Sequence, residues 1–338
     1  MAGPTTSSGR GPARRGLRRA SPVPLKVVAL GGGHGLSASL QALRHVTGDL
    51  TAVVTVADDG GSSGRLRDEF GVLPPGDLRM ALSALCNDSG WGHLWRDVLQ
   101  HRFSGEGPLA GHAVGNLLIV ALWQLLDDPS DGLSVVGELL GARGRVLPMS
   151  LQPLTIEADV DDAATGRPEV LVGQNQVAAT TGRVGTVRLV PADPPANPEA
   201  VQAVMDADWV VLGPGSWFTS VCTHLLVPEL ARALQATPAR RCVTLNLDAG
   251  ASETAGYRPE QLLETLGRYA PDLTLDAVVA DPSAVEDVDA LSAAAARFGA
   301  VLVMRQVAEA DGSAVHHPLR LAAAYADVFS GVTGDVAG

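Results

Sequence analysis

Lys26-Val27-Val28-Ala29-Leu30-Gly31-Gly32-Gly33-His34-Gly35-Leu36 is the stretch that decides the fold. Its unbroken apolar run reads as a strand buried on both faces. A glycine cluster ends the run, and Leu36, Leu40 and Leu43 then share one helix face in a helix predicted over Leu36–Val46. Strand, glycine turn and helix form the opening unit of a parallel α/β sheet. Glycines let a backbone approach a phosphate closely, and the helix N-terminus adds N–H donors and partial positive charge. The same residues also read as a tight turn with no ligand. The spacing is not the dinucleotide pattern G-x-G-x-x-G, and Asp58 and Asp59 only approximate the acidic residue that pattern requires after the second strand.

The rhythm continues outward. A β-branched strand is expected over Leu50–Val56, then a polar Gly-rich loop from Ala57 to Gly76. Helices follow around Asp77–Leu85, Leu94–Arg102, His112–Leu126 and Leu133–Leu140. Strand signals return at Arg145–Met149, Thr155–Val160, Glu169–Val172 and Val184–Val190. Alternation then resumes with helix Pro198–Met205, strand Trp209–Leu212, helix Leu225–Leu234, strand Cys242–Leu247 and helix Pro259–Tyr269. Strand Leu273–Ala280, helix Ala284–Arg297, strand Val301–Arg305 and helix Pro318–Phe329 complete it. This order predicts a doubly wound, mostly parallel sheet in one α/β domain over 25–330. A helical insertion is expected at about 77–143 and a β-rich extension at about 145–190, with tails at 1–24 and 331–338.

Bulk properties narrow the chemistry. The 338 residues are 46% apolar and 18% charged, so the chain can bury a large core. Net charge is −12, which disfavours nucleic acid and anionic membranes. Residues 1–24 hold five Arg and no acid, so the body is more acidic still. Such a body binds an anion locally, through backbone N–H groups, a few Arg or a cation. Lys26 is the only lysine, which excludes a P-loop. The three cysteines, Cys86, Cys222 and Cys242, are widely spaced and odd in number, and read as buried residues in a reducing compartment. No signal peptide or membrane span is read, and a cytoplasmic protein is expected. The most apolar stretch, Gly111–Leu126, carries His112, Asn116 and Gln124 and reads as a buried helix.

Five further stretches carry chemistry. Thr55-Val-Ala-Asp-Asp-Gly-Gly-Ser-Ser-Gly-Arg65 places Asp58 and Asp59 at a strand end, where doubly wound folds bind ligands. Beside a diphosphate these carboxylates need a cation between, and Mg²⁺ suits a few carboxylates plus phosphate oxygens. Gly60, Gly61, Ser62, Ser63 and Gly64 then form a second anion loop, with Arg65 and Arg67 for charge-assisted contacts. A flexible turn with solvated charges is the plain alternative. Asp77, in Pro75-Gly-Asp-Leu-Arg79, is either a helix N-cap or a ligand or metal contact. His112 and Asn116, four apart, are expected to share a helix face, as a buried pair or as site residues. Gly213-Pro-Gly-Ser-Trp-Phe-Thr-Ser220 is a second strand-then-glycine turn, with Gly213, Gly215, Ser216 and Thr219 available to a phosphate. Asn246 and Glu253 lie in a polar loop that closes over a ligand or stays solvated.

Taken together, Gly31–Leu36, Thr55–Arg67, Pro75–Arg79, Gly111–Leu118 and Gly213–Ser220 resemble the YvcK-type gluconeogenesis factor family, within the CofD-like superfamily of phospholactate transferases. The resemblance runs from about Lys26 to about Phe329. It implies a Rossmann-like fold, a cytoplasmic protein linked to cell shape and growth on non-sugar carbon, and a nucleotide-type ligand. YvcK-type members look like binders of UDP-sugars; their CofD relatives transfer a phospholactyl group from a diphosphate donor with Mg²⁺. Carried over, the turns Gly31–Gly35 and Gly213–Ser216 contact phosphate, and Asp58, Asp59, Asp77 and Asn116 take polar ligand or metal roles. His34 stands where the family often has Thr, Phe218 where it often has Tyr, and 247–254 match only at Glu253 and Thr254.

The leading expectation is a regulatory protein that senses a nucleotide sugar and serves envelope synthesis, because phosphate-type loops occur without an evident nucleophile or base. A Mg²⁺-dependent transferase acting on a diphosphate donor is the alternative; if the chain is an enzyme, that is its class. An NAD-dependent oxidoreductase rests only on the strand-glycine start. No tightly bound organic cofactor is expected. A homo-oligomer and an envelope-synthesis protein partner stay open.

Overall fold

The computed structural model describes residues 24–331 except Ala163, Thr165 and 249–251. The expected tails, apart from Pro24 and Gly331, and the 249–251 part of the divergent 247–254 stretch lie outside the described residues.

The strands are β1 (Lys26–Gly31), β2 (Asp49–Val54), β3 (Arg145–Pro148), β4 (Thr155–Asp161), β5 (Pro168–Val172), β6 (Arg183–Val190), β7 (Trp209–Leu212), β8 (Arg240–Thr244), β9 (Ala277–Ala280) and β10 (Val301–Met304). Seven of them form one sheet in the order β10-β9-β8-β7-β1-β2-β3, with every pairing parallel. The chain winds outward from β1 through β2 to β3, then returns to β7 on the other side of β1. Between β1 and β7 the winding direction reverses, and α/β sheets open their crevice at such a point. β4, β5 and β6 form a separate antiparallel sheet in the order β5-β4-β6.

The helices are α1 (Gly33–Leu43), α2 (Gly61–Phe70), α3 (Pro75–Leu85), α4 (Gly90–Gln100), α5 (Val114–Leu125), α6 (Pro129–Leu140), α7 (Gln174–Ala179), α8 (Pro198–Met205), α9 (Pro228–Ala236), α10 (Pro259–Tyr269), α11 (Val288–Arg297) and α12 (Pro318–Ser330). Central strands β7 and β9 are buried at every residue, as their unbroken apolar sequences require. One continuous hydrophobic core joins the helices to the sheet, and Cys86, Cys222 and Cys242 are buried free thiols. Among the described residues no helix is long and apolar enough to cross a membrane.

Five expectations change. The polar loop Ala57–Gly76 contains helix α2, closed by Gly71 in the left-handed region at φ 67°. Leu66 is its only core-buried large apolar residue, so no hydrophobic period marks the helix in the sequence. Arg145–Pro148 does not start the β-rich extension. Val146 and Leu147 are both buried, and the strand pairs with β2 in the main sheet. Asp77 is not an N-cap: Pro74 holds that position, and Asp77 sits inside the first turn of α3. His112 precedes α5 and shares no helix face with Asn116. α5 itself is buried on one side only, since Leu125 is 78% exposed.

Candidate functional site

The two glycine turns meet at the crevice but close on each other. A β-carbon on Gly35 would lie 2.3 Å from the Cα of Gly215 and 2.3 Å from the carbonyl oxygen of Pro214. Asn246 completes the clasp: its Oδ1 accepts the Gly215 N–H at 2.8 Å, and its Nδ2 donates to the Gly215 carbonyl at 2.8 Å. Gly215 and Asn246 are thereby occupied with each other, and the Gly213 N–H donates to the Leu30 carbonyl at 3.1 Å. Glu253 is 4% exposed and accepts the Phe218 N–H at 2.9 Å, which buries it beneath the second turn. Burial pushes its carboxyl up to about 7, against the backbone N–H groups that lower it. Thr219 is fully buried, while Ser216 and His34 face solvent.

The mouth of the first turn holds a carboxylate. A β-carbon on Gly32 would lie 2.6 Å from Asp77 Oδ2, and the Gly33 N–H donates to the Asp77 carboxylate. Asp77 thus occupies the N-terminus of α1, where the sequence places a phosphate. Its Oδ2 is buried without a hydrogen-bond partner. Burial first and the nearby Asp58 second raise its pKa to about 7.

Beside Asp77 opens a cavity of about 220 Å³ that gathers much of the remaining predicted chemistry. Asp58, Gly60, Gly61, Ser62, Ser63, Asp77 and Asn116 all line it. Helix α2 points its N-terminus there, and first-turn N–H groups have no acceptor within their own helix. Asn116 Nδ2 donates to Ser62 Oγ at 3.0 Å, and the Ala113 N–H approaches the same oxygen at 3.4 Å. Both Ser62 lone pairs are then engaged, so its hydroxyl proton is directed to His112 Nδ1, 3.0 Å away. That places the His112 proton on Nε2. Burial and the Arg65 and Arg102 charges lower its pKa, in keeping with a neutral ring. Ser62 therefore brings His112 and Asn116 together from two different elements.

Two cationic residues that the sequence reading did not select also line the cavity, Arg79 and Arg102. Arg79 Nε donates to Asn116 Oδ1 at 2.8 Å, and its Nη1 donates to Gln100. Burial and the Arg102 charge lower the Arg79 pKa to about 10, which leaves it charged at neutral pH. The signal for Arg79 lay inside the Pro75–Arg79 motif. For Arg102 and for Asn175, contributed by the antiparallel extension, the sequence offered none. Arg65 turns away and donates to the Ala110 carbonyl at 2.8 Å.

The two expected metal ligands part company. Asp58 faces the cavity, where burial raises its pKa and hydrogen bonds from Gly60 and Ser63 oppose the rise. Asp59 turns outward and accepts the Asn175 N–H at 3.0 Å. The pair inside the cavity is Asp58 and Asp77. An all-oxygen set with one orphaned carboxylate oxygen fits Mg²⁺, a cation that takes one or two carboxylates plus phosphate oxygens. Among the described residues no group of three or more His, Cys, Asp or Glu converges, so ligand oxygens would have to complete the shell.

A larger cavity, about 640 Å³, lies along the same sheet edge after β8, β9 and β10. Asp248, Asp281, Gln306, Glu309 and Arg320 line it, and no predicted site residue does. The Asp281 carboxylate there already accepts N–H groups from Ser283, Val307 and Ala308 at 2.6–2.8 Å. The smaller cavity is the better candidate because unpaired acid, helix N-terminus and Arg converge on it.

The family model for the 2-phospho-L-lactate transferase CofD matches residues 27–321. A Mycobacterium leprae protein named "Putative gluconeogenesis factor" is 51% identical over 306 residues, covering 89% of this chain and 85% of that one. The gluconeogenesis factor of Bacillus subtilis is 34% identical over 262 residues, covering 78% and 80%. The crystal structure of a UPF0052-family protein from Bacillus halodurans superposes with a TM-score of 0.78 at 30% identity, over 90% of this chain and 99% of that one. With the fold, the interlocked turns and these matches in hand, the chain belongs to the CofD family, in its YvcK-type UPF0052 branch.

Proposed function

We propose that this chain binds the diphosphate of a nucleotide sugar together with Mg²⁺, and acts as a regulator that reports this ligand to envelope synthesis during growth on non-sugar carbon. One observation carries the reading. Within a single cavity, the α2 N-terminus, Arg79 and Arg102 face the acid pair Asp58 and Asp77. Cationic donors suit phosphate oxygens, and the acids suit a cation bridging them. Organic ligand sites typically span roughly 300–1,000 Å³. The 220 Å³ here suits the diphosphate alone, which leaves nucleoside and sugar to lie along the open sheet edge. The names of the gluconeogenesis-factor relatives support the link to growth on non-sugar carbon and carry nothing on envelope synthesis.

Titration calorimetry with UDP-N-acetylglucosamine tests it. Mg²⁺ should tighten binding, Asp77→Asn and Asp58→Asn should remove that Mg²⁺ effect, and Asp59→Asn should keep it. Absence of heat at millimolar ligand with Mg²⁺ refutes the reading.

A second reading, transfer of a phosphorus-containing group from a diphosphate donor, is favoured by the CofD match. Mg²⁺ would supply neutralisation of charge on the diphosphate. Arg79 and Arg102 would hold and orient the donor, and Asp77, with a pKa near 7, would hold a proton beside it. A donor-cleavage assay that stays flat and unchanged in Asp77→Asn removes this reading.

A further inference from the structure

Where α1 and α3 end, away from the crevice, a second cavity of about 110 Å³ lies between them and α4. Arg44 caps α1, Ser83 and Cys86 close α3, and His93 and Arg96 stand one turn apart on α4. This cavity shares no lining residue with the diphosphate cavity. Helix α3 reaches both: it carries Asp77 in its first turn and Ser83 in its last, about 9 Å further along the axis. Two polar groups of the second cavity are unmet. Ser83 is 6% exposed, and its Oγ makes no hydrogen bond among the described residues. Arg44 Nε is buried and unpartnered as well. Buried polar atoms are rarely left so, and each calls for a partner.

We propose that this cavity binds one phosphate group, free or at the end of a phosphorylated metabolite, independently of what the diphosphate cavity holds. The unmet groups decide the class. An arginine Nε–H can only donate and a serine hydroxyl can donate, so the missing partner is an acceptor. Arg96 adds a second guanidinium at the exposed rim. Its present partner is Asp97, in an exposed pair worth little, so it can turn to a ligand. Two arginines suit phosphate oxygens. Asp88, the one acid lining the cavity, is already engaged by Arg44 and Arg143. Carbonyls that close the two helices would repel an anion, but they are answered. The Val46 N–H donates to Leu43 at 2.8 Å, the Arg143 N–H to Leu85 at 2.8 Å, and Arg44 Nη1 to Cys86 at 2.5 Å. Size agrees. A water takes about 30 Å³ of liquid, so 110 Å³ equals about four waters, room for a phosphate and too little for a sugar or a base. The rest of an ester would leave past exposed His93.

Calorimetric titration without Mg²⁺, at fixed ionic strength, tests this. Inorganic phosphate and glycerol 3-phosphate are titrated separately, and the tighter of the two identifies the source as the free ion or a metabolite. Ser83→Ala and Arg96→Gln should each weaken binding about tenfold, the step that 1.4 kcal/mol represents. Thermal melts separate this from a folding defect. Without phosphate, Ser83→Ala should melt no lower than the wild type, because it removes an unmet hydroxyl and places a strong helix former in α3. With phosphate, the wild type should gain more than the variant. No heat from either anion at about 10 mM would overturn the proposal. So would equal affinity in the wild type and Ser83→Ala. Loss of binding in Arg102→Gln but not in Arg96→Gln would overturn it too, by placing the anion in the diphosphate cavity.

Discussion

Gly35 and Gly215 touch backbone to backbone, the first glycine from the turn after β1 and the second from the turn after β7. The contact joins the two halves of the sheet at the point where winding reverses. It also explains the glycines of these two turns without a ligand: Gly35 and Gly215 make room for each other.

Gly35→Ala puts a β-carbon 2.3 Å from main-chain atoms that cannot swing aside. Overpacking of this kind costs about 1–3 kcal/mol or more, and urea denaturation should register a loss at the upper end of that range. Gly48→Ala is the control. A β-carbon there meets nothing within 4 Å, so stability should stay within about 0.5 kcal/mol of the wild type. Equal losses in both variants would refute the interlock.

Asp77 makes stability depend on pH in the sense opposite to a paired carboxylate. Its folded pKa, about 7, exceeds the ordinary 3.8, so between these values the native state holds the extra proton. Stability from this group is therefore full below about pH 4 and lost as pH rises through 7. Relative to Asp77→Asn, wild-type protein without Mg²⁺ should lose on the order of 3 kcal/mol between pH 4 and pH 8. Glu253 is common to both proteins and cancels in the comparison, whereas Asp58, whose charge helps raise Asp77, titrates together with it. Thermal melts at the two pH values check it, and parallel profiles would remove the role assigned to Asp77.

Asp59 caps α7 across a long stretch of sequence, accepting the Asn175 N–H. Asp59→Ala should cost about 1 kcal/mol, the usual worth of such a cap. Hydrogen exchange should quicken at Asn175 and its neighbours while the β1 and β7 amides stay protected. Uniform acceleration across both sheets would contradict a local clamp.

Asn116 stands between the Arg79 guanidinium and the Ser62 hydroxyl. Asn116→Ala strips a partner from each. Leaving buried polar groups unsatisfied costs about 1–3 kcal/mol, so denaturant midpoints should fall accordingly. Ligand affinity should fall too, because Arg79 is no longer held over the cavity. An unchanged midpoint would mean that water replaces the amide without loss.

Much of the fold was readable from the chain. Trp209–Leu212, Pro198–Met205 and Pro259–Tyr269 were each expected at the limits observed, because unbroken apolar runs and helix-opening prolines are local signals. α2 was not readable, since Leu66 alone cannot show a period. Arg145–Pro148 was assigned to the wrong sheet, because a short strand does not say which neighbour it will join. Asp58, Ser62, Asp77 and Asn116 were selected as site residues and do line one cavity. Asn246, Thr219 and Glu253 were selected by the same reasoning and are spent on the chain's own backbone or interior.

The sequence by itself determined the alternation of strands and helices, the family, and the strand ends from which site residues project, because each depends on neighbours within a few positions. Tertiary structure alone decided which atoms fill which space. A carboxylate 44 residues downstream of Gly33 took the first glycine corner, the two turns closed on each other, and Arg79 and Arg102 came to face Asp58. Those outcomes rest on close approach between distant segments, which no local pattern of side chains encodes.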